Sequence, residues 1–154
     1  LKKVFDCEMP LYKEGNCYKA DLNSKPINVF FRSVIGIPAG KKKGRLRVPS
    51  FIFLSDKFKV SFLIGLFDPD GGVTLSKKGK LSILFSSSTR EFLLEVNELL
   101  ESLSINLGGP YESGGRNGLE LRSYSKSQVK MFFDRIGSYH PKKFGRLKAS
   151  IAQW

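Results

Sequence analysis

Near the middle of the chain the sequence reads Phe62-Leu63-Ile64-Gly65-Leu66-Phe67-Asp68-Pro69-Asp70-Gly71-Gly72. The apolar part of this stretch is predicted to be the end of a helix that covers Asp56 to Asp68. Pro69 and Gly71 then stop the helix and turn the chain into a strand. Because Gly65 has no side chain, a second helix can approach it closely, with apolar residues packing around the contact. The stretch therefore predicts a helix that pairs with another helix and ends at two aspartates.

The two aspartates have two interpretations on spacing alone. Asp68 and Asp70 stand at the end of the predicted helix, where carboxylates can serve a functional site. Asp-Pro-Asp-Gly is equally good turn chemistry, so both residues can simply close a buried helix. The spacing leaves both interpretations open.

Six further elements follow this helix in the hydrophobic pattern. The predicted strands are Gly72 to Ser76, Lys80 to Ser87, Asn106 to Tyr111 and Leu119 to Tyr124, and the predicted helices are Thr89 to Ile105 and Ser127 to Gly137. In the second strand Leu81, Ile83 and Phe85 alternate with mostly polar residues, which gives one apolar and one polar face. The predicted fold class is α+β, in the order helix, strand, strand, helix, strand, strand, helix.

An internal repeat appears when the chain is shifted by 101 positions. The segment Ser24 to Leu46 is identical to Ser125 to Leu147 at ten of 23 ungapped positions, where chance gives about one or two. Both copies are predicted to be the end of one unit: a strand, a helix, a glycine and a basic loop. We therefore expect a partial first unit in residues 1–47 and a complete second unit in residues 48–154.

The net charge of +12 is unevenly placed along the chain. Glutamates fill the outer face of the helix Thr89 to Ile105, whereas lysine and arginine concentrate in Lys41 to Arg47 and Lys142 to Lys148. Such sidedness is typical of a protein that binds a polyanion with one face, with nucleic acid ahead of an anionic membrane surface. A membrane-surface protein is disfavoured, because it needs an amphipathic helix with a basic polar face.

Several other classes are excluded by composition. Two cysteines are too few for a disulfide framework, and a single histidine, His140, cannot build a zinc site with them. The longest apolar stretch, Phe62 to Phe67, is too short to cross a bilayer, and no secretory signal is visible at the N-terminus. We expect an intracellular protein, cytoplasmic or organellar, with no membrane partner.

The stretch from Leu63 to Gly71 resembles the motif of the LAGLIDADG homing endonucleases. It matches the motif at six positions, which are Leu63, Gly65, Leu66, Asp68, Asp70 and Gly71. The order of elements and the internal repeat are similar to those of the family. The resemblance implies an αββαββα unit with an antiparallel, saddle-shaped sheet. It also places Leu63, Gly65, Leu66 and Asp68 at the interface of two motif helices, where Asp68 braces the pair.

The resemblance further implies the active-site roles. Asp70 becomes the catalytic metal ligand, holding Mg²⁺ or Mn²⁺ together with its equivalent from a second motif helix and the scissile phosphate. A basic residue beyond the last helix of each half then lies near the active site. We favour Lys143 and Lys42 for this role, although plain phosphate contact is the alternative and adjacent lysines are not distinguished.

In the family the polar faces of the strands lie along DNA. The candidate DNA-binding residues are Thr74, Ser76, Lys78, Lys80, Ser82, Ser86, Arg116, Glu120, Arg122, Lys142 and Arg146. The alternative is a solvated sheet face, and a one-residue slip in register would exchange the two faces.

The resemblance implies a site-specific, metal-dependent endonuclease that cleaves both strands of DNA. The chain contains one motif helix and the family needs two, so we expect a homodimer or association with a missing N-terminal half. Apolar residues of the partial first unit, such as Phe30 and Val34, would form an exposed patch unless the second unit or another chain covers them, which also favours association. The alternative is a non-cleaving DNA- or RNA-binding module, such as a maturase, a regulator or a degenerate endonuclease fragment.

Overall fold

The computed structural model describes residues 10–21, 23–38, 40, 44–76, 79–113 and 118–154. The chain divides into two compact units, Leu1–Gly36 and Ile37–Trp154. Three predicted site residues, Lys42, Lys78 and Arg116, lie outside the described residues.

The first unit consists of a hairpin and a helix in its described part. Strands β1 (Leu11–Glu14) and β2 (Cys17–Ala20) pair antiparallel, and helix α1 (Lys25–Ser33) follows. Ser24 caps the helix by accepting a hydrogen bond from Ile27 N at 3.4 Å. No described residue of this helix is buried.

The second unit has the predicted order of elements. A short 3₁₀ helix (Ser50–Leu54) leads into helix α2 (Asp56–Asp70), strands β3 (Gly72–Leu75) and β4 (Leu81–Ser87), helix α3 (Arg90–Ser102), strands β5 (Gly108–Glu112) and β6 (Leu119–Ser123), and helices α4 (Lys126–Arg135) and α5 (Pro141–Ile151). The strands form an antiparallel sheet in the order β3-β4-β6-β5. The α+β class and the αββαββα order are confirmed.

Aromatic side chains from three elements form the centre of the core. Phe67 of α2, Phe85 of β4 and Phe132 of α4 are at most 1% exposed, and their ring centroids lie 4.6 to 6.0 Å apart. Full burial of such a side chain contributes about 1.5–3 kcal/mol, and each tilted or edge-to-face pair adds about 0.5–1.5 kcal/mol. The C-terminal turn of α2 is therefore anchored in the core.

The basic segment after α4 is a helix and not the predicted loop. Pro141 occupies its first turn, where the missing N–H costs nothing. Leu147 is fully buried, and Phe144 and Ile151 lie three and four residues away on the same face. The charges and Gly145 favoured a loop in the sequence, but this apolar spacing outweighs them.

Residues 44–48 are attached to α3 of the second unit. Gly44 N donates to Thr89 Oγ1 at 3.0 Å, and Val48 N donates to Glu95 Oε2 at 2.6 Å. Arg47 also pairs with Glu95, with 3.7 Å between Nε and Oε1. These residues belong to the second compact unit, Ile37–Trp154, and the repeat boundary between residues 47 and 48 stays a prediction.

The junction between α2 and β3 is tight at Gly71. Its φ of −73° suits any residue, but an added Cβ would lie 2.7 Å from Phe67 O and against the Phe67 ring. We expect Gly71→Ala to lower the free energy of unfolding by about 1–3 kcal/mol, because Phe67 is fixed in the core. Urea denaturation measures this change.

Gly145→Ala is the matched control, since no atom lies within 4 Å of a Cβ at that exposed helical position. It should raise the free energy of unfolding by about 0.5–1 kcal/mol. Equal stability of the two variants would contradict the tight junction.

Candidate active site at the end of helix α2

Pro69 lies inside the last turn of helix α2, which ends one residue later at Asp70 and not at Asp68 as predicted. Pro69 has no N–H, so the carbonyl of Gly65 has no helical donor. Gly71 N still donates to Phe67 O at 2.9 Å, and the chain then enters β3. Asp68 and Asp70 therefore lie in the last turn of a helix whose end is fixed at Phe67.

The Asp68 carboxylate is bonded within the second unit. Its Oδ1 accepts from Ser138 Oγ at 2.5 Å, and its Oδ2 accepts from Tyr139 N at 3.1 Å. Ser138 Oγ accepts in turn from His140 N at 3.1 Å. Asp68 thus joins α2 to the segment that leads into α5.

The Lys143 ammonium lies at the C-terminal end of α2, where it donates hydrogen bonds to three backbone carbonyls. Its Nζ donates to Phe67 O at 2.7 Å, to Asp68 O at 2.7 Å and to Gly71 O at 2.5 Å. The same nitrogen is 5.2 Å from the centre of the Phe67 ring. Burial lowers the pKa of Lys143 below its ordinary value, while the carboxylates of Asp68 and Asp70 act in the opposite direction.

Asp70 is the exposed carboxylate of this site. It is the last residue of α2, and within the described part of the chain its carboxylate accepts no hydrogen bond and forms no ion pair. Nor do the described residues bring three His, Cys, Asp or Glu side chains together as a metal site. Asp70 can therefore accept a ligand from outside, but this chain's described residues do not enclose a metal ion.

One face of α2 is open. Phe58, Ser61, Gly65 and Pro69, spaced by three and four residues, are exposed, and we call them the open stripe. Phe58 is 45% exposed, and among the described residues outside the helix's own backbone no atom lies within 4 Å of a Cβ built on Gly65. Leu66 is half-buried beside this stripe.

The prediction that Leu63 lies at a helix interface is wrong. Leu63 is fully buried in the core of its own unit, so it cannot contact a second helix. Residues 62–67 of α2 are apolar apart from Gly65, so periodicity within this run did not reveal which of them face inward.

The strand register brings five predicted DNA-binding residues to one face of the sheet. Thr74 lies opposite Ser82, and Ser86 lies opposite Glu120, while Arg122 lies opposite Leu84. Directly opposed residues share a face. Ser82, however, is fully buried, and its Oγ is 2.6 Å from Thr74 Oγ1. Contrary to the prediction, Ser82 therefore does not reach the surface.

Arg122 is held in place on this polar face. Its Nη2 donates to Glu120 Oε2 at 2.6 Å, and its Nη1 donates to Tyr124 Oη at 2.8 Å. The group borders a cavity of about 570 Å³, lined by Tyr111, Glu112, Ser113, Glu120, Arg122 and Tyr124. Sequence reasoning missed Tyr111 and Tyr124, although Tyr124 is two residues from Arg122 and therefore continues the same face.

The remaining predicted residues lie around the sheet. Lys142 and Arg146 are exposed on α5, and Arg146 Nη1 donates to Val73 O of β3 at 3.3 Å. Lys80 is exposed, and its N donates to Ser76 Oγ at 3.0 Å.

No helix in the described ranges is long and apolar enough to cross a membrane.

The bond between Asp68 and Ser138 should be measurable as a coupling. We expect Asp68→Asn to lower the free energy of unfolding by about 1–3 kcal/mol, because the amide offers one acceptor oxygen and an NH₂ group where the carboxylate offers two acceptors, one of them to the buried Ser138 hydroxyl. A double-mutant cycle with Ser138→Ala should give a coupling of about 0.5–2 kcal/mol. Asp134→Asn, which removes an exposed partner of Lys130, is the control and should cost less than about 0.5 kcal/mol. A coupling of zero would contradict the bond.

Sequence comparisons find similarity in two kinds of protein with unlike activities. A DNA polymerase from Thermococcus litoralis is 34% identical over 113 residues, which cover 69% of this chain and 7% of that protein. A glutamine–fructose-6-phosphate aminotransferase from Methanocaldococcus jannaschii is 29% identical over 160 residues, covering 98% of this chain and 14% of that protein. The chain thus spans a small part of either relative.

A crystal structure of I-DmoI in complex with DNA and Mn has the same fold, with a TM-score of 0.62. It is 16% identical to this chain, and the match covers 86% of this chain and 64% of that one. The family model described as a LAGLIDADG-like domain matches residues 57–137, which include α2, the sheet and α4. With this match and the exposed aspartate at the end of α2, the chain belongs to the LAGLIDADG family.

Proposed function

We propose that the chain is a site-specific endonuclease that cleaves both strands of DNA with a divalent metal ion. The observation that carries the proposal is Asp70, an exposed carboxylate at the end of a rigidly anchored helix. A polar sheet face and the basic helix α5 belong to the same unit. The matches cover 7% of the polymerase and 14% of the aminotransferase, so neither of those activities is proposed for this chain.

The donor chemistry at Asp70 fits Mg²⁺ or Mn²⁺, which prefer oxygen ligands. One carboxylate is too few to hold the ion. We therefore propose that the equivalent aspartate of a second motif helix and phosphate oxygens of DNA complete the set of ligands. When bound, the ion supplies an activated water and stabilises charge on the phosphate oxygens. The similar I-DmoI structure contains Mn and DNA, which supports this class of ion.

The residues of the chain would bind and orient the duplex. We assign contacts with DNA to Thr74, Lys80, Ser86, Glu120, Arg122, Lys142 and Arg146, with Ser76 at the edge of the same face and Lys78 and Arg116 as sequence-based candidates. The lysines and arginines neutralise phosphates, and Arg122 is suited to base contact in the major groove. A net charge of +12 makes this binding strongly dependent on salt.

The second motif helix must come from outside the second unit. The open stripe of α2 suits it, because Ser61 and Gly65 let two helix backbones approach and Phe58 provides apolar area. We propose that the partner is a second copy of the chain or an N-terminal half that completes the partial unit in residues 1–47. A chain that is monomeric and inactive alone would favour the N-terminal half.

A non-cleaving nucleic-acid-binding module is the second candidate. It is favoured by one observation, that the described residues of a single chain hold no complete metal site. It predicts salt-sensitive binding of DNA or RNA without cleavage under any metal condition.

Asp70→Asn decides between these candidates. The chain is incubated with a randomised duplex library and Mg²⁺ or Mn²⁺, and the cleaved sites are sequenced. We expect the variant to lose cleavage by on the order of 10³-fold while it keeps DNA binding, because a metal ligand contributes several kcal/mol at the transition state.

Asp56→Asn removes an exposed carboxylate at the other end of the same helix and should cleave like the parent. Cleavage that survives Asp70→Asn would show that Asp70 is not the metal ligand. Absence of cleavage in the parent, with binding retained, would support the binding module.

Gly65→Leu tests the helix pairing. Because the space around Gly65 is open, the unfolding free energy of the unpaired chain should stay the same or rise by up to about 1 kcal/mol. Association in sedimentation velocity and double-strand cleavage should both be lost. Gly145→Leu, at another exposed helical glycine, is the control and should associate like the parent. Parental cleavage by Gly65→Leu would rule out pairing through this stripe.

A further inference from the structure

We propose that Lys143 is a positioning residue that holds Asp70 in place through the backbone of α2 and does not itself contact the reacting phosphate. This inference rests on the proposed function, and it differs from the role that the family resemblance gave Lys143.

The Lys143 ammonium has no hydrogen-bond donor left over. A lysine ammonium carries three N–H groups and no acceptor. The carbonyls of Phe67, Asp68 and Gly71 lie at 2.7, 2.7 and 2.5 Å from its nitrogen. A bond from Lys143 to phosphate or water would therefore require the loss of a bond that fixes the helix end.

The end of α2 needs a cation for electrostatic reasons. The C-terminus of a helix carries partial negative charge, and its last carbonyls lack helical donors. Here the same turn also holds two carboxylates, Asp68 and Asp70, and the last turn contains no basic residue. Lys143, supplied by α5, places a positive charge against these carbonyls and offsets the unfavourable charge of the turn.

The three carbonyls lie on both sides of Asp70 in the chain. The Phe67 and Asp68 carbonyls precede Asp70, and the Gly71 carbonyl follows it. Fixing the peptide groups on both sides limits the backbone angles at Asp70, which set the direction of its carboxylate. Metal ligands need placement to about 0.5 Å, so loosening this backbone is expected to weaken metal binding.

The first test is hydrogen exchange in Lys143→Met, which keeps the apolar stem and removes the donors. Amides around the junction, including Gly71 N, should exchange about tenfold faster or more, because the turn loses several hydrogen bonds. Amides in the first turns of α2 should be unchanged. Lys142→Met, which removes an exposed charge from the adjacent position, should exchange like the parent. Unchanged exchange in Lys143→Met would overturn the proposal.

The second test follows cleavage as Mn²⁺ is titrated. Lys143→Met should need at least several-fold more Mn²⁺ for half-maximal cleavage, since its carboxylate ligand is less well placed. A lower rate with unchanged Mn²⁺ dependence would mean that Lys143 acts directly on the phosphate, which overturns the positioning role.

A third measurement is made on the parent chain, and the conservative variant Lys143→Arg serves only to assign the signal. The ammonium protons of Lys143 should give a protected NMR signal, assigned by its loss in Lys143→Arg. Its position should stay the same when a random-sequence duplex is added at low salt. A shift on DNA addition would show phosphate contact and overturn the proposal. Protected signals without any DNA cleavage would leave the positioning role intact and count against the endonuclease instead.

Discussion

The packing of Phe67 between Phe85 and Phe132 is the contact on which the geometry of the site depends. The side chain of Phe67 belongs to the core, while its carbonyl accepts from Gly71 N and from Lys143 Nζ. One residue therefore connects the aromatic centre of the core with the turn that contains Asp70. The core thus fixes the backbone at Phe67, three residues before Asp70, although the Asp70 carboxylate forms no hydrogen bond or ion pair within the described residues.

Local patterns explain how much of the fold was predictable. The alternation of Leu81, Ile83 and Phe85 with polar residues predicted β4, and the observed register places them on the core face. The three- and four-residue spacing in Thr89 to Ile105 likewise predicted α3. Thr74, Ser86, Glu120 and Arg122 were predicted to share a polar face, and they do. Such features are set by neighbours along the chain, so the sequence contains them directly.

The features that sequence reasoning missed depend on partners far along the chain. Asp68 bonds to Ser138 and Lys143 bonds to Phe67, at separations of 70 and 76 residues. No local pattern shows that Lys143 donates its hydrogen bonds to the backbone carbonyls of Phe67, Asp68 and Gly71. The family resemblance placed Leu63 at the helix interface, whereas the structure buries it in the core of its own unit. Ser82 was expected on the polar face, but it lies on a central strand where so small a side chain is covered. Helix α5 was missed because its charges were weighed above the spacing of Phe144, Leu147 and Ile151.

The group formed by Glu120, Arg122 and Tyr124 bears on how such a surface can evolve or be redesigned. Replacing Arg122 alone would leave the Glu120 carboxylate, whose side chain is only 19% exposed, without its cation. Replacing Glu120 alone would leave the Arg122 guanidinium free to change rotamer. If this face binds DNA as proposed, a new specificity at this end of the sheet is reached most easily by exchanging the three side chains as a set. Exposed positions on another element, such as Lys142 of α5, can instead be varied one at a time.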